Sequence, residues 1–198
     1  MQEYWKKSHL PEHQIFLFSD AIPHEMCDRL VKVIDESKTR KERYGPGSNV
    51  YGEIMSPLDA KDKWDGLDDE IYNIVNEVVN RICYHSRDIL VKGDTGYQLR
   101  RIERATRRHV DGVIVPDDNT FILMEKTNEL PKMRIMSVIF ALNDNYEGGE
   151  LCFPEQNVKI KLKKGQAIAF PPYWTHPHYT TDLLNNTVRY TINTWLHQ

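Results

Sequence analysis

The residues of this chain best suited to chemistry are histidines and a carboxylate in short, ordered patterns. His109-Val110-Asp111 is an H-x-D at the start of a predicted strand, His109–Val115. Positions i and i+2 of a strand point to one face, so an imidazole and a carboxylate converge there. Alone, an H-x-D is common, and its ordinary use is a solvated hydrogen-bonded pair at a strand end. Further along, Pro171-Pro172-Tyr173-Trp174-Thr175-His176-Pro177-His178 places two histidines after a predicted strand and an aromatic loop. One of them can complete a metal site. Two histidines and one carboxylate on a β scaffold leave metal positions open, an arrangement suited to Fe(II) oxygen chemistry. Three-histidine zinc hydrolysis through His109, His176 and His178 is the rival, with Asp111 left out or displaced.

A third candidate lies in the last predicted strand, Val188–Leu196. Alternation puts Val188, Tyr190, Ile192 and Thr194 on one face, and Arg189, Thr191, Asn193 and Trp195 on the other. A guanidinium near a metal site is costly unless it meets an anion, and its planar fork matches a carboxylate. Thr191 adds a hydroxyl on the same face. On an edge strand the same arginine would simply be solvated. Arg100, Arg101, Arg104, Arg107 and Arg108 crowd the stretch before the H-x-D. Their bland reading is a solvated strand and turn paired with Glu103, and their sharper one is an anion-binding rim. Tyr173 and Trp174 are either core filling or substrate contacts.

The elements that position these groups belong to one globular domain. The chain has 198 residues, 40% hydrophobic and 28% charged, with a net charge of −3. That composition excludes disordered, collagenous and coiled-coil classes, and the charge supplies no global field for nucleic acid or an anionic membrane. Cys27, Cys83 and Cys152 are odd in number and form no CxxC. They argue against a disulfide framework and a thiolate zinc site. With no apolar leader at Met1–Leu10 and no long apolar run, the expectation is a cytosolic, unanchored protein without nucleic-acid or membrane partners.

Gln14–Phe18 predicts a strand, followed by a helix after Pro23 with Met26, Cys27, Leu30, Val31 and Ile34 on its apolar face and a polar exit at Lys38–Lys41. Thr39–Asp65 reads as loop, with a short edge strand around Val50–Met55. A second helix carries Leu67, Ile71, Ile74, Val75, Val78, Val79 and Ile82, capped by Asp65 or Asp68. After Gly93 about eight short strands follow: Tyr97–Glu103, His109–Val115, Phe121–Met124, Ile135–Leu142, Leu151–Phe153, Val158–Leu162, Gln166–Phe170 and Val188–Leu196. Two helices and then a β half predict an α+β fold, a sandwich or barrel with helices buttressing one face.

Taken in order, the H-x-D, the run Leu142-Asn143-Asp144-Asn145-Tyr146-Glu147-Gly148-Gly149-Glu150-Leu151-Cys152-Phe153-Pro154, Lys164-Gly165, Phe170-Pro171-Pro172, a histidine and Arg189-Tyr190 resemble the Fe(II)- and 2-oxoglutarate-dependent oxygenases. Within them they resemble the prolyl 4-hydroxylase-like branch of bacterial and viral type. The glycines of the long run fit a tight turn between two strands. The resemblance implies a double-stranded β-helix core (jelly-roll, cupin-like) with N-terminal buttressing helices, as one domain over 1–198: helical support in 1–92 and core in 93–198. It implies Fe(II), 2-oxoglutarate and O2, with ascorbate as a further cofactor. His109, Asp111 and His178 would be the catalytic metal ligands. His178 stands 11 positions before Arg189, against 13 for His176, and the family's spacing favours His178. Arg189 would take the distal carboxylate of 2-oxoglutarate, with Thr191 beside it. Tyr97 would stand in for a tyrosine that members often carry in the strand before the H-x-D, because Leu99–Arg104 contains none. The implied reaction is hydroxylation of an unactivated C–H, in a peptide, protein or amino-acid substrate containing proline, with release of succinate and CO2. Gly112–Met133 would form a hairpin or lid. The other readings are a non-catalytic β-barrel binding module and a cupin-like metal hydrolase or isomerase.

Overall fold

Apolar runs separated by turn residues become strands throughout the computed structural model, which describes residues 9–10, 13–43, 49–56, 64, 66–86, 88–112 and 133–198. In chain order these are β1 (His9–Leu10), β2 (Ile15–Phe18), α1 (His24–Glu36), β3 (Arg40–Arg43), β4 (Val50–Met55), α2 (Leu67–His85), β5 (Gly93–Asp94), β6 (Gln98–Ile102) and β7 (Arg134–Ala141). Then come β8 (Glu147–Gly148), β9 (Leu151–Phe153), β10 (Val158–Ile160), β11 (Ala167–Phe170), β12 (Tyr179–Thr180), β13 (Leu183–Leu184) and β14 (Arg189–His197).

A large antiparallel sheet runs β1-β2-β11-β7-β14-β6-β4-β3, with β5 also pairing with β14. A three-stranded sheet, β10-β9-β12, and the pair β13-β8 are separate from it. Because strand side chains alternate, the large sheet carries a different core on each face. On one face Phe16, Phe18, Met136, Val138, Phe140, Ala167, Ala169 and Ile192 pack with Leu30 and Ile34 of α1 and Ile71, Val75, Val78 and Ile82 of α2. On the other, Ile15, Ala141, Ile168 and Phe170 pack with Leu151 and Phe153 of β9 and with Leu162. The helices therefore buttress one side, as the α+β reading expects.

Several expectations are corrected. Residues 1–92 supply more than helices, since β1 to β4 join the large sheet. The charged run expected as the polar exit of the first helix ends in β3, the outermost strand, where one row of side chains faces water and charge is tolerated. Asp68 does not cap α2, and Asp65, the other candidate, lies outside the described residues. The N-cap of α2 is Gly66 at φ 72°, while Asp68 accepts a 2.7 Å hydrogen bond from the Trp64 indole. The strand expected at His109–Val115 is, over its described residues, a single bridge between His109 and His178. Residues 113–132, which include the expected strand Phe121–Met124 and nearly all of the expected lid, lie outside the described residues.

Candidate active site

Reciprocal main-chain hydrogen bonds, 3.0 and 2.9 Å long, tie His109 to His178. They bring the two imidazole centroids to 4.4 Å. Asp111, two residues on, turns its carboxylate between them: Oδ1 lies 3.3 Å from His109 Nε2 and Oδ2 3.8 Å from His178 Nε2. Ligand atoms of the three residues all fall within 4.8 Å of one another. Among the described residues this is the one cluster able to hold a metal ion.

Main-chain carbonyls orient both rings. His109 Nδ1 meets the Arg107 carbonyl at 2.8 Å and His178 Nδ1 meets the His176 carbonyl at 3.1 Å. With Nδ1–H donating, Nε2 is the atom each ring turns toward Asp111, the arrangement that makes imidazole a metal ligand. Burial lowers the affinity of His178 for a proton, against the pull of Asp111. Burial alone would raise the Asp111 carboxyl, but hydrogen bonds from His109 and Ser137 and the nearby His178 hold it well below the usual carboxylate range. The site thus keeps an anion beside two imidazoles.

His176 is engaged elsewhere. Its Nε2 donates to the His13 carbonyl at 2.7 Å and its Nδ1 lies 2.9 Å from the Thr175 hydroxyl, so both nitrogens are committed to the scaffold. A three-histidine zinc site does not form.

A cleft opens from the cluster between the large sheet and the three-stranded sheet. Ile139, Leu151, Ile160 and Leu162 give it apolar walls, and Arg189, Thr191 and Asn193 line it from β14, as their alternation predicts. The two arginines in the cleft differ sharply. Arg100 is neutralised: its Nε and Nη2 donate to the Glu42 carboxylate at 2.9 and 3.1 Å, and Nη2 also meets the Tyr51 hydroxyl at 3.2 Å. Arg189 donates from Nη1 to the Gly149 carbonyl at 2.9 Å, and its Nε is buried with no partner among the described residues. Burial pushes its pKa down to about 10, with Tyr146 opposing and Arg100 assisting. A buried cation without an anion is what a carboxylate ligand would relieve. The Thr191 hydroxyl donates to Asn193 Oδ1 at 2.7 Å.

Tyr97 is not brought to this site. Its ring sits in the helix-side core and its hydroxyl donates to Asp94 at 3.0 Å. Tyr146, inside the glycine-rich run, lines the cleft, as does Tyr179 of β12. Gly148 and Gly149 take φ of 69° and 66°. A Cβ on Gly149 would lie 3.2 Å from the Tyr146 ring, so the turn folds against that ring. The glycine pair was the sequence signal for it. Of the arginine cluster, Arg101 pairs with Glu103 and Arg108 with Glu155, which favours the bland reading for those two. Tyr173 donates to the Arg134 carbonyl, whereas Trp174 is 78% exposed and fills no core.

The donor set of two imidazoles and one carboxylate suits Fe(II), and Arg189, with no carboxylate partner among the described residues, suits a dicarboxylate. A model of the 2OG-Fe(II) oxygenase superfamily matches residues 97–197. No curated protein matches the chain. Among solved structures, the viral collagen prolyl hydroxylase of Paramecium bursaria Chlorella virus-1, in complex with 2OG, is 18% identical with a TM-score of 0.61, covering 93% of this chain and 96% of that one. A Trichoplax adhaerens prolyl hydroxylase, in complex with a peptide fragment of a hypoxia inducible factor oxygen degradation domain, is 15% identical with a TM-score of 0.65, covering 95% and 85%. A Pseudomonas putida prolyl-4-hydroxylase is 15% identical with a TM-score of 0.56, covering 96% and 95%. These likenesses establish the double-stranded β-helix fold.

Proposed function

The chain belongs to the 2OG-Fe(II) oxygenase superfamily, and we propose that it hydroxylates an unactivated C–H of a prolyl residue in a peptide or protein, with release of succinate and CO2. The observation that carries this is the part-buried Arg189, with its Nε buried and no carboxylate partner among the described residues, in the same cleft as the His109–Asp111–His178 cluster. His109 Nε2, an Asp111 carboxylate oxygen and His178 Nε2 hold the metal. Fe(II) with 2-oxoglutarate and O2 supplies the oxidising power for C–H cleavage. Arg189 binds the distal carboxylate of 2-oxoglutarate, and Thr191 lies beside it on β14. The apolar walls at Ile139, Leu151 and Leu162 exclude water, which strengthens each of these polar contacts and orients the co-substrate.

A prolyl substrate is supported by the solved structures this fold resembles, which include prolyl hydroxylases, one of them holding a peptide. The three cysteines are free thiols, which supports a reducing, cytosolic setting. Anaerobic titration of Fe(II) and 2-oxoglutarate tests the oxygenase reading: a visible charge-transfer band that needs both components is expected. No band from folded protein would overturn it. Ascorbate dependence and a proline peptide panel read out by mass spectrometry for a gain of one oxygen then test the cofactor and substrate assignments.

A further inference from the structure

Ser137 stands in the middle of the apolar strand Arg134–Ala141 and is 1% exposed. A hydroxyl buried among Ile, Met, Val and Phe is unfavourable unless it finds a partner. Its partner is Asp111: Ser137 Oγ donates to Oδ2 at 2.7 Å. A second residue of the same strand reaches the same place, since Arg134 Nη1 donates to the Asp111 main-chain carbonyl at 2.8 Å. The Arg134 guanidinium lies 4.1 Å from the centre of the Trp195 ring, and Trp195 is the cross-strand neighbour of Ser137.

Building on the Fe(II) reading above, we infer that Ser137 is a positioning residue that sets the Asp111 carboxylate, while Arg134 sets its backbone. Positioning is needed because residues 109–112 are not part of a strand ladder. They are held by the His109–His178 bridge, by Arg134 and by a 2.7 Å bond from the Gly112 amide to the Pro172 carbonyl. None of these fixes the torsion of the carboxylate. Ser137 does, because its proton engages Oδ2 from the strand side and so keeps Oδ1 turned toward His109 Nε2. The bond also withdraws charge from the carboxylate, so Ser137 tunes the donor strength the metal meets.

The test uses Ser137→Ala and Ser137→Thr in the full chain, with two readouts independent of turnover: Fe(II) affinity by anaerobic titration, and the position of the charge-transfer band of the Fe(II)–2-oxoglutarate complex. The alanine variant is expected to bind Fe(II) about 10- to 100-fold more weakly and to shift the band, as loss of a partner behind a metal ligand does. Threonine keeps the hydroxyl and should restore both. Should the alanine variant fail to fold, Ser137→Cys, close in volume with a weak donor, gives the same comparison. Wild-type affinity and an unshifted band in a folded alanine or cysteine variant would overturn the inference. Absence of the band in the wild-type protein would overturn the Fe(II) reading and this inference with it.

Discussion

Arg189 donates to the Gly149 carbonyl at 2.9 Å and, among the described residues, to no carboxylate. A neutral carbonyl offsets little of the cost of burying a guanidinium, and Arg100, a few residues away on the neighbouring strand, shows the alternative in its two bonds to Glu42. The cleft therefore contains one satisfied arginine and one poised for an anion.

Replacing that cation isolates its role. Arg189→Met is expected to weaken 2-oxoglutarate by about 10- to 100-fold, the loss of charge-assisted hydrogen bonds worth about 1.5–3 kcal/mol. Fe(II) affinity should stay near wild type. Equal loss of both, measured in the same anaerobic titrations, would show that the residue supports the metal site rather than the co-substrate.

The two candidate distal histidines separate cleanly. His178→Ala removes a nitrogen facing Asp111 and should abolish Fe(II) binding in a protein that still folds. His176→Ala removes a ring wired to the His13 carbonyl and the Thr175 hydroxyl. It should retain the metal and lose about 1–3 kcal/mol of stability in urea unfolding, the cost of leaving buried groups unpaired. Iron retention by the His178 variant would reverse the assignment.

Asp111→Ala is expected to leave protein that binds neither Fe(II) nor 2-oxoglutarate as a coloured complex, with an unchanged far-ultraviolet circular dichroism spectrum. Full metal content after desalting would show that the two histidines suffice without it.

The Arg100–Glu42 pair makes a prediction about the scaffold. Both side chains are 13% exposed, and Glu42→Ala strands the guanidinium inside the sheet. Removing one partner of a buried pair is expected to cost about 3 kcal/mol. The midpoint of chemical denaturation reads it directly, and a change of less than about 0.5 kcal/mol, the range of ordinary surface substitutions, would show that water reaches Arg100 freely.

Local pattern determined much of this protein. The apolar stripes gave α1 and α2, alternation in β14 assigned Arg189, Thr191 and Asn193 to one face and Tyr190 and Ile192 to the other, and the positive-φ glycines at 148 and 149 marked a turn. Each depends on neighbours within a few residues, which periodicity reports. What stands across the fold was decided only by tertiary structure. His176 and His178 have the same residue type two positions apart, and only the His13 carbonyl, more than a hundred residues earlier in the chain, occupies one of them. Tyr97 stays out of the cleft, which Tyr146 and Tyr179 line, because its ring packs in the helix-side core. The bond from Ser137 to Asp111 joins residues 26 apart. The charged run Arg40–Arg43 became an outer strand because β4 was there to pair with it. Such pairings depend on loop closure and long-range packing, so no window of sequence encodes them by itself.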